Sequence, residues 1–352
     1  MMKKPILTDF KQIAIIQTAF IGDTALTLYL VQAIKVYHPK SIISFISTPQ
    51  ASGIVSCSKA VDNIISFDKK GERKGLNGIK YIARHLRELN IECVISPHRS
   101  LRTTLISKFS KPVFSVGFNI SAFSFLYSKG INYIKNIHEV ERNYLLLSAF
   151  EDYNSINTRN IKIELDIHEG DKSFVESTLM FHNVMTDRNL VILAPGSVWA
   201  TKRWNEEYYS SLAQKLVEKG YGVVLTGSSQ DIELCNIISN KTQVLNLAGK
   251  TTFPQTFHLL SLASLVITND SAPTHLAGIA GCPCIVIYGP TSPEFGFSPL
   301  GKRDIIIENK ELKCKPCHIH GLNKCPVKTH ECMVSITPEM VFEKAIMILG
   351  GS

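Results

Sequence analysis

The segment NDSAPTHLAGIAG at positions 269–281 has the composition of a phosphate-binding junction between a strand and a helix. An acid ends an apolar run, two small residues follow, and a proline opens a helical stretch. Backbone N–H groups and the positive end of the helix dipole would favour a bound phosphate there. Asp270 would accept hydrogen bonds from sugar or ribose hydroxyls. The predicted phosphate-binding residues are Ser271, Ala272, Pro273, Thr274 and His275. The alternative is that Asp270 or Ser271 caps the helix.

A second candidate segment is APGSVWATKRW at 194–204. Its Pro-Gly pair would end a strand, and Ser197 and Thr201 would then offer hydroxyl groups to a ligand. Lys202 and Arg203 would bring cations to the same edge, where a lysine suits a leaving diphosphate as a flexible point charge. The alternative is a surface loop with two solvated cations. Combined with the first segment, the binding interpretation is favoured.

The third candidate segment, AFIGDTALTL at 19–28, follows the first predicted strand. Gly22 allows a tight turn, and Asp23 lies at the start of the next helix. An aspartate in this place can act as a general base towards an acceptor hydroxyl. It can equally be an ordinary N-cap, which the spacing alone favours. No G-x-G-x-x-G follows the strand, so a dinucleotide fingerprint is not indicated.

Basic residues follow a later strand of the same half. SPHRSLRTT at 96–104 contains His98, Arg99 and Arg102, and HEVER at 138–142 adds His138 and Arg142. Arginines near strand ends suit the carboxylates and phosphates of an acidic acceptor. An ordinary solvated basic loop is the alternative for each residue.

Four cysteines occur within nineteen residues, in the pattern CKPC-x7-C-x6-C. They are Cys314, Cys317, Cys325 and Cys332, with His318, His320 and His330 among them. Such spacing is typical of zinc or iron–sulfur sites in intracellular proteins. A structural role is expected, through either reduced thiols or a structural zinc ion, and no catalytic metal is predicted.

The elements that would position these residues alternate between strands and helices. In the first half the predicted strands cover 12–17, 41–47 and 91–96, the predicted helices 24–37 and 79–89. The alternating segment 161–167 predicts a more exposed strand. In the second half, 190–197 and 221–229 each predict a strand that leads into a glycine turn, and 264–270 and 284–290 predict two further strands. The predicted helices cover 206–220, 274–281 and 338–349. The expected fold class is α/β, with two doubly wound, Rossmann-like domains facing a central cleft at the carboxyl ends of their strands.

Composition agrees with two folded domains. A chain of 352 residues is longer than a domain with one ordinary hydrophobic core. Its composition, with 45% apolar and 19% charged residues, excludes a disordered chain. The 38 basic and 30 acidic residues leave a formal charge of +8, which suits nucleic acid, an anionic membrane or a phosphorylated substrate without choosing among them. Neither a secretory signal nor a transmembrane run is recognised. Five of the nine cysteines lie in apolar contexts that indicate reduced core thiols: Cys57, Cys93, Cys235, Cys282 and Cys284.

Taken together, these segments resemble glycosyltransferase family 9, the ADP-heptose:lipopolysaccharide heptosyltransferases, and look most like its heptosyltransferase II members. The resemblance covers nearly the whole chain. Its anchors are GDTAL at 22–26, APGSVWATKRW at 194–204, LTGSSQD at 225–231, NLAGKTT at 246–252, NDSAPTHLAGIAG at 269–281 and YGPTSPEF at 288–295. One departure is Ala272, where the family usually has glycine, and its methyl group would stand beside the phosphate loop.

The resemblance implies an inverting transfer from ADP-heptose to the lipid A–Kdo inner core of lipopolysaccharide, with no cofactor required for catalysis. It implies a GT-B architecture, with an acceptor-binding domain at 1–170, a nucleotide-sugar-binding domain at 171–336 and a C-terminal helix at 337–352. The family's base falls on Asp23, its diphosphate-binding lysine on Lys202 and its donor-binding acid on Asp270. A ribose contact is expected at Asp231, and adenine near the backbone of Leu247 and Ala248. The acceptor contacts expected are His98, Arg99, Arg102 and Arg142.

The same resemblance implies a cytoplasmic enzyme in peripheral contact with the inner membrane and with no nucleic-acid partner. Two other functions stay open at this point. One is another GT-B activity, such as a nucleotide-sugar 2-epimerase, which would not require a separate acceptor. The other is a zinc-bearing nucleic-acid-binding protein, suggested by the charge of +8 and the cysteines. Such a protein would bind in a salt-sensitive manner, indifferent to ADP.

Overall fold

The computed structural model describes residues 4–69, 71, 74–184 and 189–350. The chain divides into two compact units, Met1–Asp166 and Ile167–Ser352. The expected boundary lay at 170/171, and the final helix belongs to the second unit, where it packs against another helix of that unit. Each unit is therefore described by itself.

The first unit is a six-stranded parallel sheet with the strand order β3-β2-β1-β4-β5-β6. Its strands are β1 Gln12–Ile16, β2 Ile42–Ser47, β3 Asn63–Ser66, β4 Cys93–Ser96, β5 Phe114–Phe118 and β6 Lys129–Ile131. Its helices are α1 Ile21–Tyr37, α2 Pro49–Val55, α3 Gly75–Glu88, α4 Leu101–Ser110 and α5 Glu139–Leu145. The predicted strands and helices of this half are thus confirmed up to residue 96, within a few residues at their ends.

The second unit repeats the design, with the strand order β12-β11-β10-β7-β8-β9. Its strands are β7 Leu190–Ala194, β8 Gly222–Leu225, β9 Leu245–Asn246, β10 Leu265–Asn269, β11 Cys284–Tyr288 and β12 Ile305–Glu308. Its helices are α6 Glu169–Phe181, α7 Glu206–Glu218, α8 Ile232–Thr242, α9 Phe253–Leu262, α10 Ala272–Ala280, α11 Glu331–Val334 and α12 Pro338–Leu349. All the elements predicted for this half are present.

Continuous burial explains why these apolar runs form central strands. Every residue of β7, β10 and β11 is buried, as expected for parallel strands covered on both faces. Helix ends follow the glycines: Gly220 and Gly281 have φ of +84° and +75°, a conformation that side chains other than glycine rarely adopt. The α/β prediction therefore holds at both the sheet and the helix level.

The predicted exposed strand at 161–167 is wrong. Only Leu165 makes a β-bridge there, an isolated antiparallel one with Ser58. The alternating pattern arises because this connecting chain packs Ile163 against the protein and leaves its neighbours exposed. One-sided burial of an irregular segment produces the same period of two as a strand.

The strand orders place a topological switch point in each sheet. In the first unit β1 lies between β2 and β4, and in the second β7 lies between β8 and β10. Connections from neighbouring strands diverge at such points, which leaves a crevice outside the carboxyl ends where ligands of open α/β sheets bind. The candidate segments of the sequence follow these strands: 19–28 follows β1, 96–104 follows β4, 194–204 follows β7, and 269–281 spans the end of β10.

Candidate active site

A largely buried ion pair joins the two candidate segments of the second unit. Lys202 Nζ lies 2.6 Å from Asp270 Oδ2, and the two side chains are only 12% and 11% exposed. Thr291 Oγ1 donates a hydrogen bond to the same oxygen at 2.6 Å. Since β7 and β10 are neighbours, their carboxyl ends bring Lys202 and Asp270 together across a long stretch of sequence. The alternative of a solvated Lys202 is therefore wrong.

The start of α10 lacks the side-chain cap that the sequence suggested. Ser271 is the N-cap residue, but its side chain accepts no hydrogen bond from the helix. Its hydroxyl instead lies 3.3 Å from Gly196 O and 3.4 Å from Thr268 Oγ1. The capping alternative is wrong for Ser271, and Asp270 is occupied by Lys202 and Thr291.

Fewer backbone N–H groups at the start of α10 are available to a phosphate than the five predicted at 271–275. Pro273 has no N–H, and the Thr274 N–H donates to Ser271 O at 3.1 Å. The side chains of Thr274 and His275 are buried, 2% and 7% exposed. In the described chain the N–H groups of Ser271 and Ala272 have no protein acceptor, so these two are the ones available to an anion at the positive end of the helix.

Thr201 holds the Lys202 segment in place instead of offering a hydroxyl to a ligand. Its N–H and Oγ1 both donate to Leu322 O, at 3.0 and 2.8 Å, and its Oγ1 accepts from the Leu322 N–H at 2.8 Å. His330 Nε2 lies 2.8 Å from Thr201 O. Ser197 is also buried, and its carbonyl accepts a hydrogen bond from Arg203 Nε at 2.8 Å. The predicted ligand hydroxyl of Thr201 is therefore already engaged within the protein.

Asp231 is likewise committed to the protein. Its Oδ2 accepts from the N–H and the hydroxyl of Ser228, at 2.8 and 2.7 Å, in a capping box. A Cβ on Gly196 would stand 2.3 Å from Asp231 Oδ1, and one on Gly227 2.8 Å from Asp231 Cβ. Glycine at both positions lets the β7 and β8 loops close around this carboxylate. The arrangement supports a positioning role for Asp231 rather than a freely presented ribose contact.

The expected adenine contacts, Leu247 and Ala248, are buried. The Leu247 N–H donates to Leu225 O, and the Ala248 N–H donates to Asn246 Oδ1, both at 2.9 Å. The Leu247 carbonyl accepts from the Lys250 N–H at 3.0 Å. Any contact of adenine with this backbone would therefore have to use the carbonyl of Ala248 or packing alone.

In the first unit, Asp23 is the third residue of α1. The helix begins after Phe20, and the N-cap carries no side-chain hydrogen bond, so the alternative of an N-cap aspartate is wrong. Asp23 is half-buried. Loss of water around its carboxylate raises its pKa to about 7, and the negative charge of Glu139 adds to the rise. Backbone hydrogen bonds and Arg99 oppose the shift but do not cancel it.

His98, Arg99 and Arg102 lie just after β4, as predicted. His98 Nδ1 is 2.9 Å from Thr18 Oγ1, two residues after the end of β1. Burial lowers the pKa of His98 to about 4, helped by the nearby positive charges of Lys69, Arg99 and Arg102, so the ring is neutral at physiological pH. Arg99 and Arg102 are exposed, and the Arg99 guanidinium lies 4.4 Å from the ring centre of Tyr133. These two arginines, unlike His98, remain available as cations.

Arg142 does not fit the acceptor role that the resemblance implied. It is 1% exposed and pairs with Glu139 on the same helix. Its guanidinium also donates to the carbonyls of Ile134, Lys135 and Ile137. The structure therefore supports a role in ordering the chain before α5. Sequence reasoning missed Glu139, and the only available signal was an acid in the first turn of a helix that also carries a basic residue.

The glycosyltransferase family 9 (heptosyltransferase) profile matches residues 79–325. The chain belongs to glycosyltransferase family 9. Among curated relatives, lipooligosaccharide heptosyltransferase 2 of Haemophilus influenzae is 26% identical over 96% of this chain and 99% of that protein. Lipopolysaccharide heptosyltransferase 2 of Escherichia coli is 30% identical over 53% of each chain.

Solved structures agree with the fold of this family 9 glycosyltransferase. A family 9 glycosyltransferase from Veillonella parvula superposes with a TM-score of 0.86 at 21% identity, covering 97% of this chain and 98% of that one. ADP-heptose lipopolysaccharide heptosyltransferase II of E. coli superposes with a TM-score of 0.78 at 24% identity, covering 97% of this chain and 99% of that one. The predicted GT-B type of fold is confirmed by these likenesses.

The cysteine-rich segment gains no support as a zinc site. The four cysteines line one small cavity of about 10 Å³ with Thr201 and His330. Within residues 4–69, 71, 74–184 and 189–350, no group of three or more His, Cys, Asp or Glu side chains is arranged to hold a metal ion. Burial and the neighbouring cysteines raise the pKa of Cys332 to about 11, which favours its protonated thiol. All nine cysteines lie within the described residues, and they occur as thiols and not in disulfide bonds.

The two other functions considered from sequence are not favoured. Membership of family 9 argues for a glycosyl transfer rather than an epimerisation. The nucleic-acid hypothesis rested on the charge of +8 and on a zinc site, and the described residues give the zinc site no support. As for a membrane span, no described helix of the glycosyltransferase is long and apolar enough to cross a bilayer.

Proposed function

We propose that this glycosyltransferase moves a heptose from ADP-heptose to the inner core of lipopolysaccharide, with inversion at the anomeric carbon. The observation that carries the proposal is Asp23, a carboxylate with a pKa of about 7 beside the switch point of the first unit. A general base works best when its pKa lies near the operating pH. The full-length similarity to a lipooligosaccharide heptosyltransferase 2 supports the choice of sugar and acceptor.

On the acceptor side, Asp23 accepts the proton of the attacking hydroxyl while that oxygen bonds to the anomeric carbon. Attack from the face opposite the departing ADP inverts the configuration. Arg99 and Arg102 bind the carboxylates and phosphates of a Kdo–lipid A acceptor, because both are exposed cations beside β4. Neutral His98 hydrogen-bonds uncharged hydroxyls of the same acceptor.

On the donor side, Lys202 and the N–H groups of Ser271 and Ala272 stabilise the negative charge that develops on ADP. Asp270 keeps Lys202 in position before the donor arrives, since the pair is already formed at 2.6 Å. It then shares the lysine with the diphosphate and accepts hydrogen bonds from the sugar hydroxyls. Asp231 maintains the loops after β7 and β8 around the ribose.

The proposal is tested by incubating the protein with ADP-heptose and defined core acceptors and weighing the products. Wild type adds one heptose, also in the presence of a chelator. Lys202→Ala weakens ADP binding about 10- to 100-fold, the usual worth of a hydrogen bond to a charged group. Lys202→Arg restores only part, because the guanidinium is planar and larger.

The matched control is Lys219→Ala, an exposed lysine at the end of α7 in the same unit. It leaves both ADP binding and transfer unchanged. Conversion of the donor sugar without any acceptor would instead identify an epimerase. Unchanged ADP binding in Lys202→Ala would remove this lysine from the donor site.

A further inference from the structure

The first unit carries a basic groove that the proposed transfer does not use. It encloses about 840 Å³ between α3, α4 and the amino-terminal ends of β5 and β6. Five cations line it, namely Lys80, Arg84, Arg87, Lys108 and Lys111, and none of its described lining residues is acidic. His98 and Arg99 lie at the opposite, carboxyl end of β4, so the groove is separate from the expected acceptor contacts.

The protein's own acidic side chains neutralise little of the positive charge in the groove. Arg84 Nε pairs with Glu88 at 2.9 Å, but both side chains are mainly exposed, so this pair is weak. Arg87 donates to the carbonyl of Phe109, which keeps its guanidinium at the groove wall. Lys80 and Lys108 are exposed, and no ion pair to either occurs in the described chain. A concave surface of this kind attracts clustered anionic groups.

Apolar side chains stand exposed next to these cations. Phe109 lines the groove and is 37% exposed, Val113 beside the lining residue Pro112 is 78% exposed, and Phe125 beside Leu126 is 77% exposed. Leu76, one turn before Lys80 on α3, is 61% exposed. Large apolar side chains in water next to a basic cluster mark a binding surface.

We propose that this groove and its apolar rim form a docking surface for a bilayer that carries anionic phospholipid. The cations take the headgroup phosphates, and Val113, Phe125 and Phe109 enter the boundary between headgroups and acyl chains. Single-stranded nucleic acid would also suit a basic surface with aromatic rings. The bilayer fits better because Val113 and Leu76 are aliphatic, so they cannot stack on bases but can insert among acyl chains.

This inference rests on the proposed function only for its purpose, which is to bring a lipid-linked acceptor to the enzyme. Docking itself requires neither donor nor acceptor. It is therefore measured by sedimenting the full-length protein with vesicles in the absence of both. One set contains equal parts of phosphatidylglycerol and phosphatidylcholine, the other phosphatidylcholine alone.

Wild type is expected to sediment with the phosphatidylglycerol vesicles and not with phosphatidylcholine alone, and high salt should release most of it. Lys80→Glu/Lys108→Glu should weaken binding about tenfold or more, because each cation near an anionic surface contributes measurably. Val113→Ser/Phe125→Ser should weaken the part of the binding that resists salt. Lys302→Glu/Lys344→Glu, the same charge change on exposed lysines of the second unit, should bind like wild type.

Transfer assays separate docking from chemistry. Lys80→Glu/Lys108→Glu should keep wild-type transfer to a deacylated, water-soluble acceptor and lose transfer to an acceptor embedded in vesicles. Docking without any transfer would contradict the proposed function and leave this inference standing. The inference is overturned if wild type does not distinguish the two vesicle sets or if both lysine pairs behave alike. It is also overturned if the groove variant loses binding to a single-stranded oligonucleotide while its vesicle binding is unchanged.

Discussion

Asp23 combines a place at a switch point with an unusually weak acidity. Its ordinary pKa of 3.8 rises to about 7, chiefly through burial and then through Glu139. At pH 7 the carboxylate is therefore only about half ionised, and the ionised form is the one that can accept a proton. With Asp23 as the proposed base, the acid limb of the pH profile reports on the ionisation of its carboxylate, which Glu139 influences.

We expect kcat/KM to rise with pH through an apparent pKa of about 7. Asp23→Asn should lower turnover by about 10²–10⁴-fold, the usual contribution of a positioned base. The folded protein holds the Asp23 proton more tightly than the unfolded chain, so this residue's contribution to stability declines as pH rises from about 4 to about 7. Asp23→Asn should therefore fold normally and lose no stability at pH 8, as measured by thermal melts. A pH profile that lacks this limb in wild type would contradict the assignment.

Glu139 acts on Asp23 from α5, and Arg142 on the same helix neutralises it only in part. Burial raises the pKa of Glu139 itself, while Arg142 and Arg99 lower it. We predict that Glu139→Gln moves the acid limb to lower pH, because removal of the negative neighbour makes Asp23 easier to ionise. Loss of the buried charge pair should also cost up to about 3–5 kcal/mol of folding free energy.

The control for Glu139→Gln is Glu141→Gln, an exposed glutamate on the same helix. It carries the same change of charge but should leave the pH profile in place. If the two variants gave the same profile, Glu139 would be a structural partner of Arg142 alone. Melting temperatures separate that outcome from simple unfolding.

At the scale of elements, the cysteine-rich segment at 314–332 packs against the loop that carries Lys202 and holds it in place, and so acts as a brace. Leu322 and His330 bind Thr201, and Gly321 lies against the Lys202 side chain. Gly321 has φ of +91°, and a Cβ there would stand 2.9 Å from Lys202 Cγ and Cδ. We therefore expect the segment to influence the proposed donor binding through its packing against Lys202.

We predict that Gly321→Ala weakens ADP binding about tenfold, because the lysine stem must move and its charge-assisted hydrogen bond is lost or bent. Gly220→Ala is the matched control: its φ is +84°, and nothing lies within 4 Å of the new Cβ. In both variants the left-handed conformation of the new alanine should lower the free energy of unfolding by about 1–2 kcal/mol. Only Gly321→Ala should change the calorimetric affinity for ADP, and equal affinities would show that the brace does not position Lys202.

The elements themselves were largely predictable, because each depends on neighbours along the chain. The apolar run of β10 and the glycine that ends α10 are local signals. The segment 161–167 misled because one-sided burial resembles a strand. Whether a site residue is available to a ligand depends on partners that no short sequence pattern contains. Thr201 Oγ1 already donates a hydrogen bond to Leu322 O. Arg142 pairs with Glu139 and donates to the carbonyls before α5. No local pattern reports such contacts.

At the scale of the whole molecule, the two units repeat one topology with different chemistry at their switch points. The first presents a carboxylate of raised pKa and two exposed arginines, and the second presents a lysine–aspartate pair beside an uncapped helix start. In the proposed function, the side chains of the first unit serve the acceptor and those of the second unit serve the donor. The sheet order alone is compatible with either assignment, so the proposal rests on these side chains.

This division predicts where each ligand protects the backbone from hydrogen exchange. ADP should slow exchange in 194–204 and 269–275, because a bound diphosphate engages the amides of Ser271 and Ala272 and holds the Lys202 loop in place. It should leave 17–24 and 96–102 of the first unit unchanged, whereas a core acceptor should protect those two segments. At an ADP concentration near the wild-type Kd, Lys202→Ala should strongly reduce the ADP effect and Asp23→Asn should preserve it, since only the former belongs to the second unit. Protection by ADP confined to the first unit would reverse the proposed roles of the two sheets.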